Sequence, residues 1–379
     1  METFDVIVIG GGIAGASSAA ALAESRRVLL LERESQPGYH TTGRSAALLT
    51  PFYGNATVRA LNLAGGRWYR DPPQGFADVP LLGPRGELYV GRAEDRELIE
   101  EEADSARHAG AKVELLDGAG ARALVPSLRP EWVAHAWYDS SAMDMEVGAI
   151  LQGFLRRLRH GGGIVRTDAE VLALGRGGEG WIVSAHSGEA SAPVVVNASG
   201  AWADMVAGIA GLGPLGIEPK RRTAIIVDPP PGQDSRRWPG VLDSREAWYM
   251  KPEAGKLMCS PADETPSEPC DAQPEELDIA ICVDRVQQAV DIEIRRIEHS
   301  WAGLRCFAPD RTPVAGFDPR AEGFFWLAGQ GGYGIMTAPA LAAIAARLIT
   351  GTALPAWMGE HDLDALAPAR LLAAATPPA

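Results

Sequence analysis

Gly10, Gly12 and Gly15 form G-x-G-x-x-G between an apolar run, FDVIVI, and a small-residue run, ASSAAALAES. This order can cradle a phosphate. The first glycine permits a tight turn and the second lets an anion approach the backbone. The third lets a helix pack closely on its strand, and the helix N-terminus faces the anion. Glu32 ends the next apolar run, RVLLLE, where a carboxylate accepts hydrogen bonds from an adenosine ribose. An acid there disfavours a 2′-phosphate and hence NADP, while NAD and FAD both remain open on this motif. The stretch GYHTTGRSAALLTPFYGN, residues 38–55, then brings the chain back over the nucleotide. Thr42, Gly43, Ser45, Ala46 and Ala47 are small enough to let backbone amides reach a pyrophosphate, and Arg44 can neutralise or brace it. A second glycine corner, Gly329, Gly331, Gly332 and Gly334, opens a helix expected to begin near Met336. A helix N-terminus there can stabilise the negative charge of a reduced flavin, which ranks FAD above NAD.

The elements that must position these residues follow from periodicity. The N-terminal segment reads as strand, glycine turn, helix and strand, a βαβ unit. AEDRELIEEEADSARHAG is a charged, solvated helix, and EVGAILQGFLRRLRHGGG is an amphipathic helix stopped by glycines. GIVRTDAEVLAL reads as strand, and WIVSAHSGEASAPVVVNASG as two strands around a polar turn. From about Glu218 to Trp301 the chain turns proline-rich, with short strands such as TAIIV and WYMKP and one helix near IAICVDRVQQAV. GFFWLAGQGGYGIMTAPALAAIAARLI repeats the opening logic of strand, glycine turn and small-residue helix. The chain shows no internal repeat or long linker, so two domains are expected to interleave.

A chain of 379 residues suggests about two domains. With 46% hydrophobic and 22% charged residues it is a folded protein, not a disordered one. A net charge of −14 argues against nucleic acid or an anionic membrane as its main partner. No apolar run reaches the roughly 18 residues that span a bilayer, and the N-terminus lacks the features of a signal peptide. Cys259, Cys270, Cys282 and Cys306 show neither metal-type spacing nor a disulfide framework. A reducing cytoplasm is the expected setting, with peripheral attachment to the inner membrane left open.

Four segments, GGGIAGAS, LERESQPGYHTTGRSAA, VVVNASGAWAD and GFFWLAGQGGYGIMTAPA, together resemble the D-amino-acid oxidase superfamily of FAD-dependent oxidoreductases. The resemblance runs almost end to end and is nearest to the bacterial D-arginine dehydrogenases. It implies an α/β fold in which a Rossmann-type FAD-binding domain (1–80, 145–215 and 305–379) interleaves with a second α+β substrate-binding domain. The second domain (81–144 and 216–304) is expected to carry a mixed antiparallel sheet. Noncovalent FAD is implied, because Cys306 is displaced from the position where some relatives attach it. Flavin contacts are implied at Gly10, Gly12, Ile13, Ala14, Gly15, Glu32, Arg33, Arg44, Ser45, Ala46, Ala47, Val171, Gly200, Gly331, Gly334 and Ile335.

For the substrate, the same resemblance assigns Arg305 to the carboxylate, with Arg222 as a second group and Tyr249 beside them. Arg221, on the alternate strand face, is expected to look to solvent. Tyr53 is implied as a lid that excludes water, the Gly332 carbonyl as acceptor for the substrate amine, and Glu87 as the partner of a cationic side chain. Leu48 and Met336 depart from the pattern, standing where a histidine and a glutamine are expected; both make the pocket less polar. The implied reaction takes the α-hydrogen of a D-amino acid, basic or apolar, as hydride to flavin N5. Hydrolysis of the imino acid then yields a 2-oxo acid and ammonium. The seven histidines are expected to serve structure or surface. Oxygen-using relatives place a lysine near the flavin; here Lys256 is one residue out of register and Leu257 takes its place, which favours a quinone or another acceptor over O2. Three readings stay open beside this one. They are an oxidase of secondary or N-methyl amino acids of the sarcosine or glycine oxidase kind, a flavin 2-hydroxy-acid dehydrogenase, and a nucleotide-binding sensor without turnover. A monomer or homodimer fits each.

Overall fold

The computed structural model describes residues 1–178 and 180–374, so residues 375–379 of the expected 305–379 segment lie outside the described residues. The chain opens as its sequence predicts. Val6–Ile9 and Val28–Leu31 are strands buried at every position, and Ile13–Leu22 is the helix between them. They belong to a six-stranded sheet whose order by residue is 164–166, 28–31, 6–9, 194–197, 324–328 and 314–317. Its pairings are parallel except at the 314–317 edge.

Strand alternation divides the core. Val6, Val8, Leu30 and Val196 face the helices 13–22, 56–70, 147–160 and 334–350. Ile7, Ile9, Leu29, Leu31 and Val195 face a second sheet, where Trp181 and Val183 cover them. Burial on both faces is why these strands read as unbroken apolar runs. The expected pair of strands over residues 181–200 is in fact three. Gly180–Ala185 and Gly188–Ala192 form a hairpin, and Val194–Asn197 crosses into the central parallel sheet. Pro193 separates the last two; proline cannot donate to a ladder.

A large mixed sheet forms the second layer, in the order 265–266, 218–227, 256–260, 249–253, 240–243, 87–91, 135–139 and 113–117. Its pairings are antiparallel except between 240–243 and 87–91. The helix Glu276–Ala289 packs Cys282 and Val286 on one face, against Ile225, Met250 and Leu257. The strand His299–Phe307 pairs with Glu218–Val227 along its whole length, from Ile226↔His299 to Glu218↔Phe307, and so runs unbroken through the expected border at 304/305. At its end Cys306 O accepts from Gly331 N at 2.8 Å, which ties the second glycine corner to the large sheet. No described helix is long and apolar enough to cross a membrane.

Candidate functional site

One elongated cleft runs from the first glycine turn to the large sheet, enclosing about 1690 Å³ with its open mouth. At the nucleotide end Gly10 sits at φ +106°, and a Cβ there would meet Ala198 O at 2.4 Å. A Cβ on Gly15 would fall 1.8 Å from Gly10 O, so this glycine buys close helix–strand packing and does not itself line the cleft. Thr42 Oγ1 accepts from Ile13 N at 3.0 Å. The amides of Gly12 and Ala14 have no acceptor among the described residues, and no acidic residue stands in the first helical turn. Uncapped amides at a helix start are what an anion requires. Glu32 accepts from Gly11 N at 2.7 Å and Glu34 N at 2.9 Å, which aims the carboxylate along the wall. Burial raises its pKa, and those two amides partly oppose the rise.

Ile13, Ala14, Arg33, Ser45, Ala46, Val171, Gly200, Gly331, Gly334 and Ile335 line this cleft. Two assignments need correction. The Arg44 guanidinium is not free for a pyrophosphate; it donates to Ala272 O at 2.9 Å and Ala302 O at 3.0 Å and pairs with Asp271. It bolts the loop to the large-sheet layer and contributes only part of the wall. Ala47 lies off the wall, packed on the core, with its carbonyl accepting from Met145 N at 3.3 Å. The second glycine corner fits a flavin. The helix Gly334–Thr350, starting two residues before Met336, has no side-chain cap and no acidic residue in its first turn. Gln330 lines the cleft with a buried Nε2 that has no partner among the described residues. An orphaned buried donor there suits a ligand carbonyl.

At the sheet end the pairing 218–227 with 299–307 sets Arg222 opposite Gly303 and next to Arg305 on the diagonal. Both arginines and Tyr249 line the cleft. Arg222 donates from Nε to Asp263 O at 2.7 Å and from Nη2 to Glu264 at 3.3 Å. Arg305 has no side-chain hydrogen bond or ion pair among the described residues. A Cβ on Gly332 would sit 3.0 Å from both Arg305 Nη1 and the Tyr53 hydroxyl, so the glycine gap is where these three groups converge. Arg305 and Tyr249 lie deep in the molecule yet keep accessible surface, as cleft-lining groups do.

Charges here are mutually tuned. Burial lowers the Arg222 pKa and Arg305 lowers it further. Burial opposes the charge of Arg305, but Tyr249, Tyr53 and the Glu264 and Asp263 carboxylates together outweigh it and leave its pKa raised. Burial likewise opposes ionisation of Tyr249, and the Arg305 and Arg222 cations override it to leave the phenol below its ordinary value. Arg221 does turn to the other face, yet not to solvent: it pairs at 2.9 Å with Asp278 on the covering helix and with Glu275 at that helix's N-cap. Lys256 pairs with Asp228 at the surface, and Leu257 is buried in the core beneath the sheet. The Cys306 thiol is buried, pushed up to about 12, and directed at Leu304 O at 3.7 Å.

Leu48, Tyr53, Glu87 and Met336 do not line the main cleft, although the Tyr53 hydroxyl reaches the Gly332 gap. Leu48 Cδ1 lies 3.2 Å from a Cβ built on Gly240, the strand partner of Glu87. Glu87 is buried, and burial, with Asp139 opposite it on the neighbouring strand, raises its pKa to about 8. Thr50 lies beside it, yet Thr50 Oγ1 and Glu87 Oε2 lack partners of ordinary hydrogen-bond geometry among the described residues. Met336 Sδ accepts from Thr50 N at 3.4 Å.

Sequence reasoning overlooked Thr42 as a cap, Gln330, Trp301 and His40, all of which line the cleft. His40 bonds Glu34 at 2.9 Å and sits 4.8 Å from the Trp202 ring, so one histidine belongs to the site after all. Its position within the quoted loop was the available signal.

The sequence pattern of the family described as "FAD dependent oxidoreductase" matches residues 5–348. FAD-dependent oxidoreductase domain-containing protein 1 of Bos taurus is 26% identical over 405 residues, covering 92% of this chain and 81% of that protein. Glycine oxidase of Geobacillus kaustophilus (strain HTA426) is 25% identical over 366 residues, covering 92% and 93%. A crystal structure of glycine oxidase from that species superimposes with a TM-score of 0.82 at 22% identity, covering 97% and 98%. That of L-proline dehydrogenase from P. horikoshii does so at 0.81 and 21%, covering 98% and 99%.

Proposed function

From the premise that the chain belongs to the FAD-dependent oxidoreductase family, we propose that its substrate is an amino acid, oxidised at the α-carbon to an imino acid that water converts to a 2-oxo acid and ammonium. FAD, held noncovalently in the cleft, supplies the two-electron acceptor. One observation carries the reading: Arg305 is a deep cation with no hydrogen-bond or ion-pair partner among the described residues, facing the cleft beside Tyr249. An unpaired buried charge is costly, and a substrate carboxylate offsets that cost through two parallel charge-assisted bonds. Arg222 adds a second positive charge, and Tyr249 can donate its phenolic hydrogen to the same carboxylate. Tyr53, on the far side of the Gly332 gap, closes over the bound molecule and excludes water. The Gly332 carbonyl accepts from the substrate amine and orients its lone pair toward the α-carbon.

The resemblance to D-arginine dehydrogenases favours D-amino acids with basic or apolar side chains, although the Glu87, Leu48 and Met336 that it assigns to that side chain stand off the cleft wall and burial keeps Glu87 protonated near neutrality. The outward pairing of Lys256 with Asp228 supports electron transfer to a quinone or similar acceptor in place of O2. The likeness to glycine oxidase supports a second reading, a glycine or secondary-amine oxidase that yields hydrogen peroxide. Anaerobic mixing of the holoenzyme with D- and L-amino-acid panels, glycine, sarcosine and proline, with flavin bleaching as readout, separates them. Bleaching by D-lysine, D-arginine or apolar D-amino acids and slow recolouring in air support the first. Bleaching by glycine or N-methyl amino acids with rapid recolouring and peroxide supports the second. Bleaching by 2-hydroxy acids alone refutes the amino-acid reading.

A further inference from the structure

Arg222 does not wait empty for a substrate as Arg305 does. Its Nη2 donates to Glu264 Oε1 at 3.3 Å, a long bond, while Arg311 holds the same carboxylate with two bonds of 3.0 Å, one to each oxygen. Glu264 Oε1 is therefore shared between two arginines. Burial would raise its pKa, but Arg311, Arg222 and Lys220 outweigh that and keep it ionised. Arg222 keeps its other bond, to Asp263 O at 2.7 Å, whatever Glu264 does. Arg311 is anchored apart from Arg222. Its guanidinium lies 3.9 Å over the Phe307 ring, its carbonyl accepts from the Tyr333 hydroxyl, and its φ is +57°. The Tyr333 ring in turn meets the Tyr53 ring edge-on at 5.8 Å.

We infer that Glu264 is an internal stand-in for the substrate carboxylate on Arg222, displaced wholly onto Arg311 when substrate binds. The inference rests on the amino-acid reading above and adds a positioning residue to it. The weaker of the two Glu264 contacts is the one to Arg222, which lines the cleft, and the stronger is to Arg311, which does not. Binding then trades one anion for another at Arg222 without leaving either arginine unpaired. The trade also tightens the Glu264–Arg311 pair at the moment the Tyr53 side must close.

The two ends of the pair give opposite signs, which a merely structural tie does not. In Glu264→Gln the competing charge is gone, and Arg222 binds a carboxylate more tightly. In Arg311→Gln the whole Glu264 charge falls on Arg222, and binding weakens. Titration of holoenzyme with acetate, read by perturbation of flavin absorbance, should show Kd lower by about two- to fivefold in Glu264→Gln and higher by a similar factor in Arg311→Gln. Flavin content and Tm of each variant verify the fold. Shifts of the same sign in both variants, or none in either, overturn the exchange while leaving the amino-acid reading intact. Failure of acetate to perturb the wild-type flavin at all overturns both.

Discussion

Replacing Arg305 by alanine separates binding from stability in a way that follows from its missing partners. The guanidinium is deep in the protein and makes no hydrogen bond or ion pair among the described residues, so truncation breaks no direct bond, and Tyr249, Tyr53, Glu264 and Asp263 offset its desolvation at longer range. The Tm of Arg305→Ala should therefore change little. The substrate carboxylate, by contrast, loses two charge-assisted bonds, each contributing about 1.5–3 kcal/mol. Arg222 and Tyr249 remain and recover part of this, so a net loss of about 3–4 kcal/mol is expected, or roughly 10²–10³ in kcat/KM. Most of it should fall in KM, because the carboxylate is held alike before and during hydride loss. Arg222→Ala offers the contrast. It breaks bonds to Asp263 O and Glu264 and should lower Tm as well as raise KM. Anaerobic flavin reduction at varied substrate gives kcat/KM, and differential scanning calorimetry gives Tm. A variant that loses its flavin, or one whose kcat/KM falls less than threefold, would refute the assignment of Arg305 to the carboxylate.

Three further outcomes follow from particular contacts. Gly15→Ala places a Cβ 1.8 Å from Gly10 O, and expression should yield no flavin-loaded protein; a yellow, folded variant by visible absorbance would disprove the close packing. Thr42→Val removes the cap on Ile13 N, which should cost about 1 kcal/mol of stability and weaken FAD retention in a dilution assay, whereas unchanged Tm and retention would show that the cap is idle. Glu87 has a folded pKa of about 8 against an ordinary 4.5. Between those values the unfolded chain has released the proton that the folded chain keeps, so stability falls as pH rises, by up to about 1.4 kcal/mol per pH unit. Below the window both states are protonated and the effect vanishes; above it the loss is complete. Glu87→Gln should therefore match wild type near pH 4 and exceed it increasingly up to pH 8 in urea unfolding, and a constant difference across pH would remove the buried acid from the account.

The nucleotide end was legible in sequence because its requirements are local. A strand, three spaced glycines and a helix determine one another within a few residues, and Glu32 follows at the end of the next strand. The same holds for Gly331, Gly332 and Gly334 before a small-residue helix. Val194–Asn197 was misjudged for the opposite reason. Its local pattern is that of a hairpin strand, and only the slot between Val6–Ile9 and Phe324–Ala328 made it part of the parallel sheet. Arg44 illustrates the same limit, since the carbonyls that hold it belong to Ala272 and Ala302. Nothing near Arg44 in sequence announces them.

By itself, then, the sequence determined the nucleotide-binding turn and an α/β plan, and through its family resemblance it supplied the candidate groups for a carboxylate. Only the tertiary structure decided which of them are available. Arg44, Arg221, Arg222 and Arg305 look alike as residues, each a cation near small or strand-forming neighbours. Folding assigns partners to three of them, Arg44 to Asp271, Arg221 to Asp278 and Arg222 to Glu264, and leaves Arg305 facing the cleft. The physical reason is that the worth of a charge depends on burial and on what stands within a few ångströms. Those distances join residues from 42 to 227 positions apart, and no local pattern encodes them.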